Sequence, residues 1–270
     1  MNRGYLTLAQ NGTHDYVKMA YVLAISLKLS QGKDVKISVI VNEDQEIPEK
    51  YESIFDNIIR APMPEDEWKV QNKWMYFDLS PYDETIVLDS DMLFFTDHSW
   101  WWKAFELDDL IFTETVLNFR GEEVTSDYYR KVFTENSLPN HYTALFFFRK
   151  TKEIENYFKL VRMIFENWEK WYDHILKESP KYVSGDVVYA IASKITFRNN
   201  MKNIFPFMRF VHMRNKIQDA RLSGDWSKTL RVDLTNFSLK ILYSRLEDNL
   251  KILGDRFQMN LKPGKIIPSP

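Results

Sequence analysis

Thr85-Ile86-Val87-Leu88-Asp89-Ser90-Asp91-Met92 is an apolar run that ends abruptly in an acidic pair. Thr85 to Leu88 has the length and β-branched character of a buried strand, and Asp89 and Asp91 stand at its exit. Strand alternation predicts both carboxylates on one side, with Ser90 between them. Two carboxylates held close together repel each other unless a cation neutralises them, so the spacing predicts a divalent metal at this edge. Such an ion can bridge two phosphates and stabilise a departing diphosphate.

Upstream, the chain alternates strands with helices. Gly4 to Ala9 reads as a buried strand, followed by the polar loop Gln10-Asn11-Gly12-Thr13-His14. From Asp15, Val17, Ala20, Tyr21, Ala24 and Leu27 recur at helical spacing up to Gly32. Val35 to Val41 is a second strand, Ile54 to Ala61 includes a third, and Pro62 with Pro64 precedes a helix predicted over about 66–79. Downstream, Leu110 to Phe112 and Ala144 to Phe148 read as strands. One long helix is predicted over 152–177 with Ile154, Phe158, Val161, Phe165, Trp168, Tyr172 and Ile175 as its stripe. A short helix over 184–193 and a strand from Phe205 to Val211, leading to His212, complete the reading. The order predicts an α/β fold, a mainly parallel sheet flanked by helices, in which ligands collect at the carboxyl ends of the strands.

Composition sets the outer bounds. The 270 residues are 44% hydrophobic, 15% aromatic and 27% charged, which excludes a disordered tail or a fibre and predicts a folded chain. No run reaches the roughly 18 apolar residues of a membrane span, and Met1 to Tyr5 runs into a strand without a signal-peptide pattern, so the expectation is a soluble, cytoplasmic protein. With no cysteine, any metal must be held by carboxylates, imidazole or carbonyls. The net charge of −2 hides a polarity: residues 1–193 carry −11 and residues 194–270 carry +9. The basic end is expected either to meet phosphate or to match the acidic body within the molecule.

Several of these pieces together resemble the retaining, metal-dependent glycosyltransferases of the glycogenin-like family (family 8), which have the nucleotide-sugar (GT-A) fold. Thr7-Leu8-Ala9-Gln10-Asn11, Tyr16 and Lys18 with the helix after them look like that family's uridine-binding first strand, loop and helix. Asn72-Lys73-Trp74 is similar to the segment whose lysine reaches the donor. Asp89-Ser90-Asp91-Met92-Leu93 resembles the metal motif, and Phe210-Val211-His212 the later strand whose histidine completes the metal shell. The match extends over roughly residues 4–216, in the same order along the chain. The resemblance implies a catalytic core over 1–200 and a part over 201–270 that completes the diphosphate site and touches the acceptor.

The resemblance also implies roles. Leu8, Gln10, Asn11 and Tyr16 would surround uracil and ribose, with Ser90 also at the donor. Asp89, Asp91 and His212 would hold Mn2+ or Mg2+, the imidazole favouring manganese. Lys73 and Lys216 would meet the diphosphate, and Asp186, at a helix start, the transferred sugar. Asn215 and Gln218 stand where the family has glycine and lysine after its histidine. Tyr142-Thr143-Ala144-Leu145 replaces its Asn-Ala/Ser-Gly turn, and Val187 its glutamine. These positions border the sugar, so donor sugar identity is open.

The implied reaction is transfer from a UDP-sugar to an acceptor hydroxyl. The basic tail and an overall likeness to bacteriophage enzymes that glycosylate hydroxymethylated cytosine favour DNA as acceptor, in the cytoplasm of the host cell. A surface glycan or lipid-linked sugar is the alternative. Trp100-Trp101-Trp102 cannot all face one core; at least one is expected in the cleft or at an interface, as a platform for acceptor sugar or base, or else the run is a lid packed on the body. Leu88-Asp89-Ser90-Asp91-Met92 also looks like the nucleophile motif of haloacid-dehalogenase-type phosphatases, though that normally sits on a first strand; a non-enzymatic nucleotide-binding module is a third reading.

Overall fold

The computed structural model of the chain describes residues 2–12, 14–63, 69–94, 97–117, 130–177, 182–197 and 208–211, and the backbone of 230–235, 238–243, 260–262 and 265–267. In order they form β1 (Arg3–Leu8), α1 (Tyr16–Gln31), β2 (Ile37–Asn42), α2 (Glu49–Glu52), β3 (Asn57–Ala61), a 3-10 helix (Lys69–Met75) running into α3 (Tyr76–Leu79), and β4 (Glu84–Asp89). Then come α4 (Trp101–Ala104), β5 (Leu110–Thr113), β6 (Thr115–Leu117), α5 (Lys131–Glu135), β7 (Tyr142–Arg149), α6 (Lys152–Glu166), α7 (Trp168–Trp171), α8 (Gly185–Phe197) and β8 (Arg209–Val211). Two antiparallel hairpins follow, pairing residues 230–235 with 238–243 and 260–262 with 265–267.

Six strands form one sheet in the order β3-β2-β1-β4-β7-β5. β1 to β4 run parallel, and β7 opposes both its neighbours, so the sheet is mainly parallel as expected. Alternation along β4 sends Ile86 and Leu88 into one apolar layer and Val87 into the other, because helices cover both faces. α1, with Leu23, Ala24 and Leu27, packs with Trp101, Trp102 and Phe105 on the first face; α6 and α8 cover the second. α1 begins where Asp15 accepts from the Lys18 amide at 2.9 Å and ends at Gly32, whose φ of 102° is open to glycine and strained for other residues.

Four readings are corrected. The long helix breaks after Glu166: the Asn167 side-chain amide donates to the Met163 carbonyl at 3.2 Å, taking the acceptor that the Asn167 backbone N–H would use, while that N–H turns to Ile164. The chain continues as α7 and one π turn, Tyr172–Leu176, closed by Lys177 at φ 52°. The helix ahead of β4 is a 3-10 helix and a single α turn over its described part. β4 ends at Asp89 and the chain turns there, the Met92 N–H donating to the Asp89 carbonyl at 3.2 Å, so the turn rather than strand alternation orients Asp91. Of the tryptophans, Trp101 and Trp102 are core residues, packed edge-on against Phe94 and Tyr5, and Trp100 alone of the three is exposed. A three-indole platform is therefore not present; the run is chiefly a packed cover.

Candidate functional site

The chain leaves β1 towards β2 on one side, while β4 lies on its other side, so the sheet reverses its winding between β1 and β4. In open α/β sheets such a reversal is the point where the loops after neighbouring strands diverge, and the crevice that takes ligands lies there, at the carboxyl ends of the strands. Leu8 sits opposite Asp89 in the register. The residues that follow, Gln10 and Asn11 on one side and Ser90 and Asp91 on the other, thus border the same crevice.

Into this edge the 3-10 helix delivers Lys73, whose Nζ meets Asp89 Oδ1 at 2.7 Å. Its backbone is held by the Tyr189 hydroxyl, which donates to the Lys73 carbonyl at 2.9 Å, and neighbouring Asn72 donates to Gln10 Oε1 at 2.8 Å. Burial opposes the charge of Lys73, but the Asp89 carboxylate outweighs it and holds the ammonium above the ordinary lysine range. Burial pushes the Asp89 carboxyl up; Lys73 pulls it down and the charge of Asp91 pushes it up again, leaving it raised.

Asp186 lies at the start of α8, and a Cβ on the preceding Gly185 would stand 3.4 Å from Thr143 Oγ1 and 3.7 Å from Lys73 Cδ. The helix start is thus set against the lysine. Asp186 Oδ1 accepts from the Thr143 amide and hydroxyl at 2.8 and 2.7 Å, and Oδ2 from Arg130 Nη1 at 2.7 Å. Burial alone would raise its pKa, but Arg130 and the Thr143 donors hold the carboxyl below the usual range. Arg130 is itself fixed: its guanidinium lies 3.8 Å from the centres of both the Phe133 and Tyr142 rings and also donates to Asn140 Oδ1 and the His141 carbonyl. The sequence reading missed Arg130. Its partner is 56 positions away and no local pattern links the two.

Leu8 is half-buried against the core, Gln10 and Ser90 are buried, and Tyr16 opens α1 half-buried. Asn11 works locally, its Oδ1 accepting from the Val17 amide at 3.0 Å and its Nδ2 donating to Asp15 at 3.3 Å. β8 pairs with β6 and brings Phe210 edge-on to Tyr142 at 6.2 Å; the next residue, His212, and Lys216 lie outside the described residues, as does most of 201–270. A cleft of about 380 Å³ lined by Asn2, Arg3, Lys36 and Trp102 is at the amino end of β1, away from this chemistry.

Asp89 and Asp91 offer hard oxygen ligands, and an ammonium already stands on Asp89 in the manner of a cation. Among the described residues no third histidine or carboxylate completes a cluster. A two-carboxylate set fits an ion that takes its remaining ligands from water and substrate phosphates, as Mg2+ and Mn2+ do at phosphate sites. Among the described residues, no helix is long and apolar enough to cross a membrane.

No protein-family model matches this chain, and no curated protein sequence matches it. Among solved structures it is similar to the glycosyltransferase GlyE of Streptococcus pneumoniae TIGR4, at 13% identity and a TM-score of 0.43 over 79% of this chain and 46% of that one. It is also similar to the galactosyltransferase LgtC in complex with donor and acceptor sugar analogs, at 12% and 0.44 over 70% of each chain. Mouse xyloside xylosyltransferase 1 aligns at 10% identity and 0.46 over 78% of this chain and 85% of that one. The chain spans less than half the length of GlyE.

Proposed function

We propose that this chain is a glycosyltransferase that moves a sugar from a nucleotide diphosphate sugar, a UDP-sugar, to an acceptor hydroxyl with retention of configuration. The observation that carries the reading is the meeting of Lys73, Asp89 and the Asp186–Arg130 pair at the reversal point of a mainly parallel sheet. That is where nucleotides bind open α/β sheets. Leu8, Gln10, Asn11 and Tyr16 line the nucleoside end, with Ser90 at the donor.

Asp89 and Asp91, joined by His212, would hold Mn2+ or Mg2+, which when bound supplies positive charge to the departing diphosphate. Lys73, and Lys216 beyond the described residues, bind phosphate oxygens and stabilise the same developing charge. Asp186 stays ionised, which makes it a poor proton acceptor. With three donors already on its oxygens, it orients a sugar hydroxyl through the lone-pair capacity that remains. Arg130 holds it in that attitude.

The +9 charge of residues 194–270 favours a polyanionic acceptor, and we infer hydroxymethylated cytosine in DNA, glycosylated in the cytoplasm of a phage-infected cell. The test is nucleotide release from a panel of nucleotide sugars with Mn2+, alone and with hydroxymethylcytosine DNA or a glycan. Release from a UDP-sugar that rises with the DNA is the expected result. Release that rises only with the glycan refutes the DNA acceptor, and no turnover of any donor refutes the glycosyltransferase reading.

A further inference from the structure

The Lys73–Asp89 contact has a feature that a simple phosphate-binding lysine does not require. The ammonium makes a 2.7 Å bond to a carboxylate of the acidic pair, the place where a divalent cation would bind. Lys73 is nearly enclosed, with 13% of its side chain exposed, whereas 33% of Asp89 remains open. The lysine is therefore the enclosed member of the pair and the carboxylate the more open one. Behind the lysine the backbone is anchored by the Tyr189 hydroxyl, while Asn72 is tied to Gln10, so a change of partner by Lys73 is confined to its side-chain torsions.

We propose that Lys73 is an internal counter-ion that excludes a divalent cation from Asp89 until a nucleoside diphosphate arrives. The diphosphate then draws the ammonium off Asp89 onto its own oxygens, and the freed carboxylate, with Asp91, takes the divalent ion that the same phosphates help to bind. This proposal rests on the nucleotide-sugar reading above and adds to it a cause for coupling between metal and nucleotide. Coulomb attraction supports the exchange: one cation on Asp89 weakens the site for a second, and an anion carrying two phosphates relieves that competition. Linkage makes the effect reciprocal, so the divalent ion strengthens nucleotide binding by the factor by which nucleotide strengthens metal binding.

The test is the affinity of the full chain for Mn2+, read from the loss of the free Mn2+ paramagnetic resonance signal, with and without uridine diphosphate. The wild type is expected to bind Mn2+ weakly alone and about tenfold or more tightly with uridine diphosphate. Lys73→Met is expected to bind Mn2+ about tenfold more tightly than wild type without nucleotide, and to gain much less when nucleotide is added. Lys73→Arg, which keeps a cation at the position, is expected to stay close to wild type. Equal affinities for wild type and Lys73→Met without nucleotide overturn the proposal. So does tight Mn2+ binding by wild type that uridine diphosphate leaves unchanged, a readout that needs no variant. If uridine diphosphate binds and Mn2+ binds neither protein under any condition, the counter-ion proposal fails while the nucleotide reading stands. If the nucleotide does not bind either, both fail.

Discussion

Asp186 and Arg130 show how a single contact sets the chemistry of a residue. A carboxylate that keeps its charge while mostly enclosed needs a partner equally well held, and two aromatic rings, an asparagine and a carbonyl fix the guanidinium for that purpose. Arg130→Met is expected to destabilise the chain by about 3 kcal/mol or more in urea unfolding, because it leaves the carboxylate without its cation. Adding Asp186→Asn is expected to restore part of that loss, a recovery that would not occur if Arg130 acted only through packing. At Asp91, which faces solvent beside Asp89, the expectation is the reverse in kind. Asp91→Asn abolishes metal-dependent nucleotide release and leaves the unfolding midpoint within experimental scatter, as a surface change should. Asp89 could be named from the sequence because it stands at the exit of a short apolar strand, whereas Lys73, Gln10 and Asp186 were reached through the family resemblance of the segments that carry them. Arg130 could not, since its importance exists only when residues 130, 142 and 186 meet.

At the level of the elements, β1 is held by close packing as much as by its ladders. A Cβ on Gly4 would come within 2.6 Å of Tyr82 Cε2, and that ring cannot yield because its hydroxyl shares a 2.6 Å hydrogen bond with Ser38 Oγ in the interior. Gly4→Ala is therefore expected to cost about 1–3 kcal/mol, measured by chemical denaturation. A smaller loss would mean that Tyr82 moves more easily than its burial implies. The six strands of the main sheet were legible because each is a short apolar run between polar loops, whereas β6 and the two C-terminal hairpins went unread. The break at Asn167 was not legible: its stripe continues in register through Trp168 and Tyr172, so hydrophobic spacing points to one helix. The competing hydrogen bond at Met163 depends on a rotamer that spacing does not specify.

Across the whole molecule, stability should depend on buried imidazoles. His141 has no exposure, stacks on Phe112 at 4.1 Å and shares a 3.0 Å hydrogen bond with Ser193; burial pushes its pKa down to about 3. Between that value and about 6.5, the unfolded chain binds a proton that the folded chain refuses, so stability rises with pH through this window. His98, pushed down to about 4 by burial, acts in the same sense. Glu114 and Asp89, whose carboxyls burial raises, oppose it just above the ordinary carboxylate range. His141→Gln isolates one contribution, because the amide can keep the bond to Ser193. It is expected to remove up to about 1.4 kcal/mol of stability change per pH unit between pH 6 and pH 4, read from denaturation curves along that range. An unchanged slope would show that His141 protonates in the folded state.

The order of the six main-sheet strands, the burial of β4 on both faces and the acidic exit at Asp89 follow from the sequence alone, because apolar periodicity and turn residues act over a few positions. Folding in three dimensions decided which long-range partners those residues received. It placed β7 antiparallel beside β4, took Trp101 and Trp102 into the core, gave Asp186 to Arg130, and set the Lys73 ammonium on Asp89. Charge pairing and ring packing between residues far apart in the chain depend on where the backbone brings them together, and nothing in the local order of residues encodes that distance.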